Sequence, residues 1–344
     1  MKEVLLSFVC LFSVSLLSAQ EVISGNSSGT TVTIGGLKYK LSEDVHTAMV
    51  ANGNSWEGEL KIPELVTYNG EIYIVDRIEW IAFKFCETLT KVRIPKTVVD
   101  IVHYARWEDC KNPFNGCTGL ERIEVDEDNP SMCSVNGVLY NKDRSRLYSY
   151  PAGAKDKAYT IPDGVTWLGM DAFAYNPYIE SVEMPNSVSR ICSGLFTECE
   201  KLKSVRISEN ISLIPAYTFD KCISLHFLDI PKSVRSFAES VFRNSPLDTI
   251  VIRGTFPEGL RTDTFFGMSE STIIYVQSSE ISKFQSMFSG TVLPLEEYTD
   301  QVVSTPAFAS FNTATAVYDL QGRRLTGQPR RGIYVKDGKK FVAK

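Results

Sequence analysis

Three histidines, His46, His103 and His226, are the groups best suited to moving protons near neutral pH, and no two of them are spaced to share a partner. His226 reads as a surface side chain on a strand flank rather than a general base. The chain has no G-x-S-x-G elbow, no glycine loop able to cradle phosphate and no H-E-x-x-H pair. Carboxylates are plentiful, but context singles out no pair of them. The turn Asp126-Glu127-Asp128-Asn129 carries oxygens of the kind calcium takes, yet it lacks the further ligands in register and the bend glycine of a full calcium loop. It is read as a solvated acidic turn. Of eight cysteines, Cys10 lies in an apolar leader, and the odd number that remains leaves at least one thiol unpaired unless it meets another chain. There is no C-x-x-C pair to hold structural zinc. The residues that can do chemistry thus point away from an enzyme and imply no cofactor and no metal.

The elements that would position any site repeat. Phenylalanine returns at Phe173, Phe196, Phe219, Phe242 and Phe265, a period of 23 residues, within units such as VTWLGMDAFAYNPYIESVEMP and VSRICSGLFTECEKLKSVRIS. A fixed period of this length marks a solenoid, in which each unit buries its apolar edge by stacking on its neighbours. Three residues after a phenylalanine come Cys86, Cys117, Cys199 and Cys222, with Asn176 and Ser245 at the same position in other units. A slot that takes Cys, Asn or Ser is read as a small, partly polar side chain closing a buried turn. Cys110, Cys133 and Cys192 lie off that column and are the better disulfide candidates in an exported protein.

Each unit also carries an alternating strand. The inward pairs are Leu60/Ile62, Val92/Ile94, Ile123/Val125, Tyr159/Ile161, Val182/Met184, Val205/Ile207, Leu228/Ile230, Ile250/Ile252 and Ile274/Val276, which makes nine rungs. Prolines after several strands (Pro63, Pro95, Pro162, Pro185, Pro231) end them and begin the turns. The longer early intervals hold insertions, expected to map to surface loops. The outward residues form a strip: Lys91, Arg93, Arg122, Glu124, Ser181, Glu183, Ser204, Arg206, Phe227, Asp229, Thr249, Val251, Ile273 and Tyr275. It grades from basic to apolar. The apolar end is either a protein-binding surface or a surface covered by the capping helix or linker.

The totals agree with an exported repeat protein. A net charge of −5 argues against nucleic acid as a general partner. Residues 1–20 have Lys2, an apolar run from Val4 to Leu17 and small residues at the end, the layout of a signal peptide cut near Ala19 or Gln20. The run is shorter than the roughly 20 apolar residues of a membrane-spanning helix. The expected organisation is signal peptide 1–20, N-terminal cap 21–58, solenoid 59–277, capping helix region 278–295, linker 296–315 and a basic β tail 316–344. A serine cap is expected to open the helix around Ile281, Phe284 and Phe288. Over 317–344 eight cations face Asp319 and Asp337, so the tail either touches an anionic cell surface or is a soluble β tail with charged edges.

The segments AFKFCETLTKVRIPKTV and TFDKCISLHFLDIPKSV resemble leucine-rich repeats of the BspA-like class of Bacteroidetes and some protists, over roughly residues 30–295. NGVLYNKDRSRLYSYPAGAKDKAYTIPDGV is similar to a variant unit of that class. The resemblance implies an α/β leucine-rich-repeat solenoid, with a parallel sheet on one face, short helical or irregular turns on the other and caps at the ends. It also implies export and adhesion, with an extracellular or host protein as partner. The tail, YDLxGR…GIY…GKK, is similar to short sorting-type segments of secreted Bacteroidetes proteins. The expected ligand strip is Lys91, Arg93, Arg122, Glu124, Glu183, Arg206, Phe227, Asp229, Val251 and Tyr275. A second class, a glycan-binding accessory protein, predicts aromatic residues lining a groove, with two or more of Trp56, Trp80, Trp107 and Trp167 exposed on one face.

Overall fold

The computed structural model describes residues 29–102, 111–256 and 263–298, and the backbone of 332–336 and 339–343. The leader, Cys110, Trp107, His103 and most of the linker and tail lie outside the described residues.

The rungs stack as parallel strands. Gly58–Lys61, Leu89–Ile94 and Arg122–Val125 form the first segment of the main sheet. Ala158–Thr160, Ser181–Glu183 and Ser204–Arg206 form the second. Phe227–Ile230, Thr249–Ile252, Ile273–Val276 and Thr291–Pro294 form the third. The last strand is a rung that the sequence reading lacked. Of the inward residues, Val125 and Tyr159 are half-buried at the ends of their segments, and the others are buried.

Most rungs turn after the strand at a buried valine or isoleucine, whose N–H often returns to the proline carbonyl, as in Val188 to Pro185 at 3.1 Å. A second ladder follows, of strands only two residues long: Trp167–Leu168, Arg190–Ile191, Leu213–Ile214 and Ser236–Phe237. Next comes the phenylalanine turn. Its backbone donates to the following rung, Phe173 N to Leu195 O at 3.1 Å, Phe196 N to Thr218 O at 3.0 Å and Phe219 N to Val241 O at 2.9 Å. Two residues on, Tyr175, Glu198, Lys221 and Asn244 adopt φ of 64°, 57°, 56° and 57°. That left-handed conformation is unfavourable for side-chain-bearing residues. It points their N–H groups at the next rung, as in Lys221 N to Arg243 O at 2.8 Å. The side opposite the main sheet is therefore built from hydrogen-bonded turns and short strands.

Inside, the phenylalanines form a column. Successive ring centroids from Phe173 to Phe265 lie 5.5, 5.8, 6.2 and 6.1 Å apart. Tyr150 begins this column 5.0 Å from Phe173, and Phe284 and Phe288 end it, each 5.7 Å from Phe265. The closing helix, Ile281–Gln285, has no side-chain cap. Glu280 stands there instead, accepting from Phe256 N at 3.3 Å and Lys283 Nζ at 2.8 Å. At the front, Thr30–Ile34 and Leu37–Ser42 pair antiparallel around Gly35-Gly36, at φ 57° and 87°, and continue through Thr47–Val50 into Glu71–Glu79. Residues 332–336 and 339–343 form an antiparallel hairpin.

One insertion is not the surface loop expected of it. Met132–Val135, Val138–Asn141 and Arg146–Ser149 form an antiparallel unit whose last strand enters the second ladder beside Trp167–Leu168. Met132 and Leu139 pack into the front core, while Val138, Tyr140 and Leu147 pack into the rear core. The insertion joins two hydrophobic cores.

Candidate functional site

The open face of the main sheet begins with a basic cluster. Strand alternation sends Glu59 and Lys61, Lys91 and Arg93, and Arg122 and Glu124 outward, in cross-strand rows Glu59–Lys91–Arg122 and Lys61–Arg93–Glu124. Four cations thus meet two carboxylates. Glu124 is shared: Lys91 Nζ lies 2.9 Å, Arg93 Nε 2.9 Å and Arg122 Nε 3.4 Å from its carboxylate. The hydrogen bond from Lys91, together with the nearby charges of Arg93 and Arg122, holds the Glu124 carboxyl below its ordinary range. The side chains of Arg93 and Arg122 remain 57% and 55% exposed, so their charge faces solvent. At one end of these strands a shallow cavity of about 220 Å³ is lined by Lys61, Glu64, Arg93, Glu124 and Asp126.

Farther along, Arg206 pairs with Glu183 at 2.7 Å and remains 56% exposed. Asp229 receives Arg253 through two bonds of 2.7 Å. Ser204 is buried, so the strip narrows there. Val251 is a correction to the expected strip: it is 0% exposed and offers nothing directly to solvent. Tyr298 lies over this end of the face, 6.4 Å from the Phe227 ring and 5.3 Å from the Tyr275 ring, centroid to centroid. The same alternation that assigns Lys91 and Arg93 outward also assigns Lys61, which the strip omitted. Tyr298 had no such signal, because it follows the last rung in a stretch read as linker.

The chemistry-bearing candidates resolve as structural. Cys117, Cys199 and Cys222 each donate from Sγ to the carbonyl of the preceding column phenylalanine, at 3.0, 3.1 and 3.2 Å. Ser245 Oγ donates to Phe219 O in the same way. Burial pushes the thiols of Cys117 and Cys199 up to about 12. Cys133 is a free thiol whose Sγ donates to Asn141 O at 3.3 Å, so it is not bridged to buried Cys192 as the disulfide expectation allowed. Asn129 is fully buried, with Nδ2 donating to Pro95 O and Val98 O at 2.9 and 2.7 Å. This commits it to the fold rather than to an ion. Among the described residues no three His, Cys, Asp or Glu side chains are grouped to hold a metal. Trp56 and Trp80 are half-buried against the front core and Trp167 is buried, which gives no exposed tryptophan groove among the described residues.

The fold and this face define a leucine-rich-repeat solenoid presenting a graded sheet surface. A family model for the BspA type leucine rich repeat region matches six copies over residues 73–134 and 152–272, more than half of the chain, and the chain belongs to that family. Leucine-rich-repeat proteins of this kind are cell-surface or secreted, bind other proteins and are generally not catalytic. A leucine rich cell surface protein of Faecalibacterium prausnitzii is similar at 20% identity and TM-score 0.47, covering 78% of this chain and 100% of that one. The pneumococcal vaccine antigen PcpA is similar at 16% identity and TM-score 0.48, covering 77% and 98%. A leucine-rich repeat protein of Bacteroides ovatus is similar at 25% identity and TM-score 0.44, covering 76% and 67%. No curated protein matches significantly in sequence. Among the described residues no helix is long and apolar enough to cross a membrane.

Proposed function

We propose that this protein is an exported adhesin that binds an extracellular protein along the open sheet face, without catalysis. The observation that carries the reading is the cluster of Lys61, Lys91, Arg93 and Arg122 around Glu124, with both arginines turned to solvent. Exposed guanidiniums recognise carboxylates bidentately and steer acidic partners by long-range attraction. An acidic segment of a host protein lies across Arg93 and Arg122 and continues past Arg206 toward Phe227, Asp229 and Tyr275. Family membership supports a protein partner, and the burial of Trp167 with Trp56 and Trp80 half-buried against the front core speaks against the glycan alternative.

The test is binding of the full chain to a panel of extracellular-matrix proteins and glycans across a salt series. The expected result is capture of a protein member, with affinity falling as salt rises. Capture of glycans alone, or a salt-independent protein complex, would overturn the reading.

A further inference from the structure

The chain leaves the last strand at Pro294, passes through the single turn Leu295–Glu297 and turns back across the sheet face at Tyr298. The Tyr298 ring lies nearly parallel to Phe227, at 24°, and tilted by 58° against Tyr275. Phe227 and Tyr275 stand on strands two apart, with Thr249–Ile252 between them. Strands in a sheet are spaced by about 4.8 Å, so a ring touching both spans the strand that carries Val251. Val251, which strand alternation points outward, is buried on that intervening strand. Asp229, in register with Val251, and its partner Arg253 form a charged rim. The surface is a recess for one aromatic ring, with a valine floor, two aromatic sides and a polar edge, and a ring occupies it.

Tyr298 is not part of the hydrophobic core. The phenylalanine column already closes on Phe284, Phe288 and Val292. Glu296 and Glu297, beside it, are exposed. The ring therefore covers a surface that the solenoid completes without it.

We propose that Tyr298 is an internal plug in an aromatic docking pocket formed by Phe227, Val251 and Tyr275, and that the partner protein inserts an aromatic side chain there in its place. This rests on the reading that the open face binds protein, and it adds what the partner must carry. Aromatic side chains in desolvated recesses are the usual energetic anchors of protein interfaces. A plug held in cis lowers the apparent affinity by the fraction of time the pocket is closed. The pocket is thereby kept from exposing an apolar patch before a partner arrives.

The test uses a fluorescent peptide with the sequence of residues 293–300, LPLEEYTD, titrated into the full-length chain. Y298A should bind it at least about tenfold more tightly than the wild type, because the competing ring is gone. Y298F, which keeps the ring, should bind as weakly as the wild type. A peptide with alanine in place of its tyrosine should fail, and F227A added to Y298A should abolish the gain. The melting temperature of Y298A should stay near that of the wild type. Equal binding by wild type and Y298A, binding of the alanine peptide, or unfolding of Y298A would each overturn the proposal. None of these outcomes depends on Arg93, Arg122 or Arg206, so the pocket and the basic cluster fail separately.

Discussion

One hydrogen-bond donor, placed three residues after Phe173, Phe196, Phe219 and Phe242, is supplied by different chemistry on different rungs. Sγ of Cys222 and Oγ of Ser245 each reach the phenylalanine carbonyl of the rung before. Asn176 reaches Pro151 O and Ala154 O at 3.2 and 3.1 Å, where the insertion replaces a normal turn. This is why the sequence tolerates Cys, Asn and Ser at one position. Cys222→Ala removes one of two donors to the Phe196 carbonyl, leaving the Cys199 N–H at 3.0 Å, and should cost about 0.5–1.5 kcal/mol in urea unfolding, whereas Cys222→Ser should recover most of that loss. Phe219→Ala, in the middle of the stacked column, should cost about 3–5 kcal/mol. A second residue-scale test concerns Asp171, which accepts from Asn115 Nδ2 at 2.7 Å. Gly194 passes so close, at φ 69°, that a Cβ there would lie 2.0 Å from the Asp171 carboxylate. Burial pushes the Asp171 carboxyl up to about 7, and the charge of Lys84 offsets this only in part. The folded state therefore binds this proton more tightly than the unfolded chain, whose aspartate titrates near about 3.9. Stability should rise as pH falls from about 8 to about 5. Asp171→Asn should raise the melting temperature at the alkaline end and flatten that dependence. An unchanged pH profile would contradict the assignment.

The insertion at 132–149 is the element that makes one molecule of two stacks. Tyr140 is its hinge: it packs into the rear core, and its hydroxyl lies 2.6 Å from that of Tyr159. In a solenoid each unit is stabilised by its neighbours, so weakening one interface separates the parts. Tyr140→Ala should convert a single thermal transition into two in calorimetry, while Tyr140→Phe should keep one. Much of this architecture was legible beforehand. The 23-residue period, the buried phenylalanines and the inward strand pairs all follow from apolar residues that recur in register. What escaped has physical causes. Val138, Leu139 and Tyr140 are buried on both faces, so the segment lacks the alternation that betrays a half-exposed strand. The second ladder is too short to show any period. The left-handed position holds Tyr, Glu, Lys and Asn, because the backbone bond and not the side chain sets it. The open face was legible as alternation, but its covering by Tyr298 depended on a chain reversal that no local pattern encodes.

At the scale of the whole molecule, the repeat puts residues 23 apart side by side, and charges use it. Glu180–Lys203, Glu183–Arg206, Glu198–Lys221 and Asp220–Arg243 pair across adjacent rungs at 2.5–2.7 Å. Most such pairs are exposed, where each contributes about 0–1 kcal/mol, so they fix register more than they stabilise. The front cluster differs, since its cations outnumber its carboxylates and leave charge for a partner. The central claim is that this face, and not the turns, binds protein. The direct measurement is the affinity of two triple charge-reversal variants for the protein captured by the wild type. Arg93→Glu, Arg122→Glu and Arg206→Glu change the open face. Lys201→Glu, Lys221→Glu and Lys232→Glu make the same charge change on exposed turns. The account predicts that the first variant loses binding by at least about tenfold with an unchanged melting temperature, while the second binds like the wild type. Equal losses in both variants, or binding retained by the first, would contradict it.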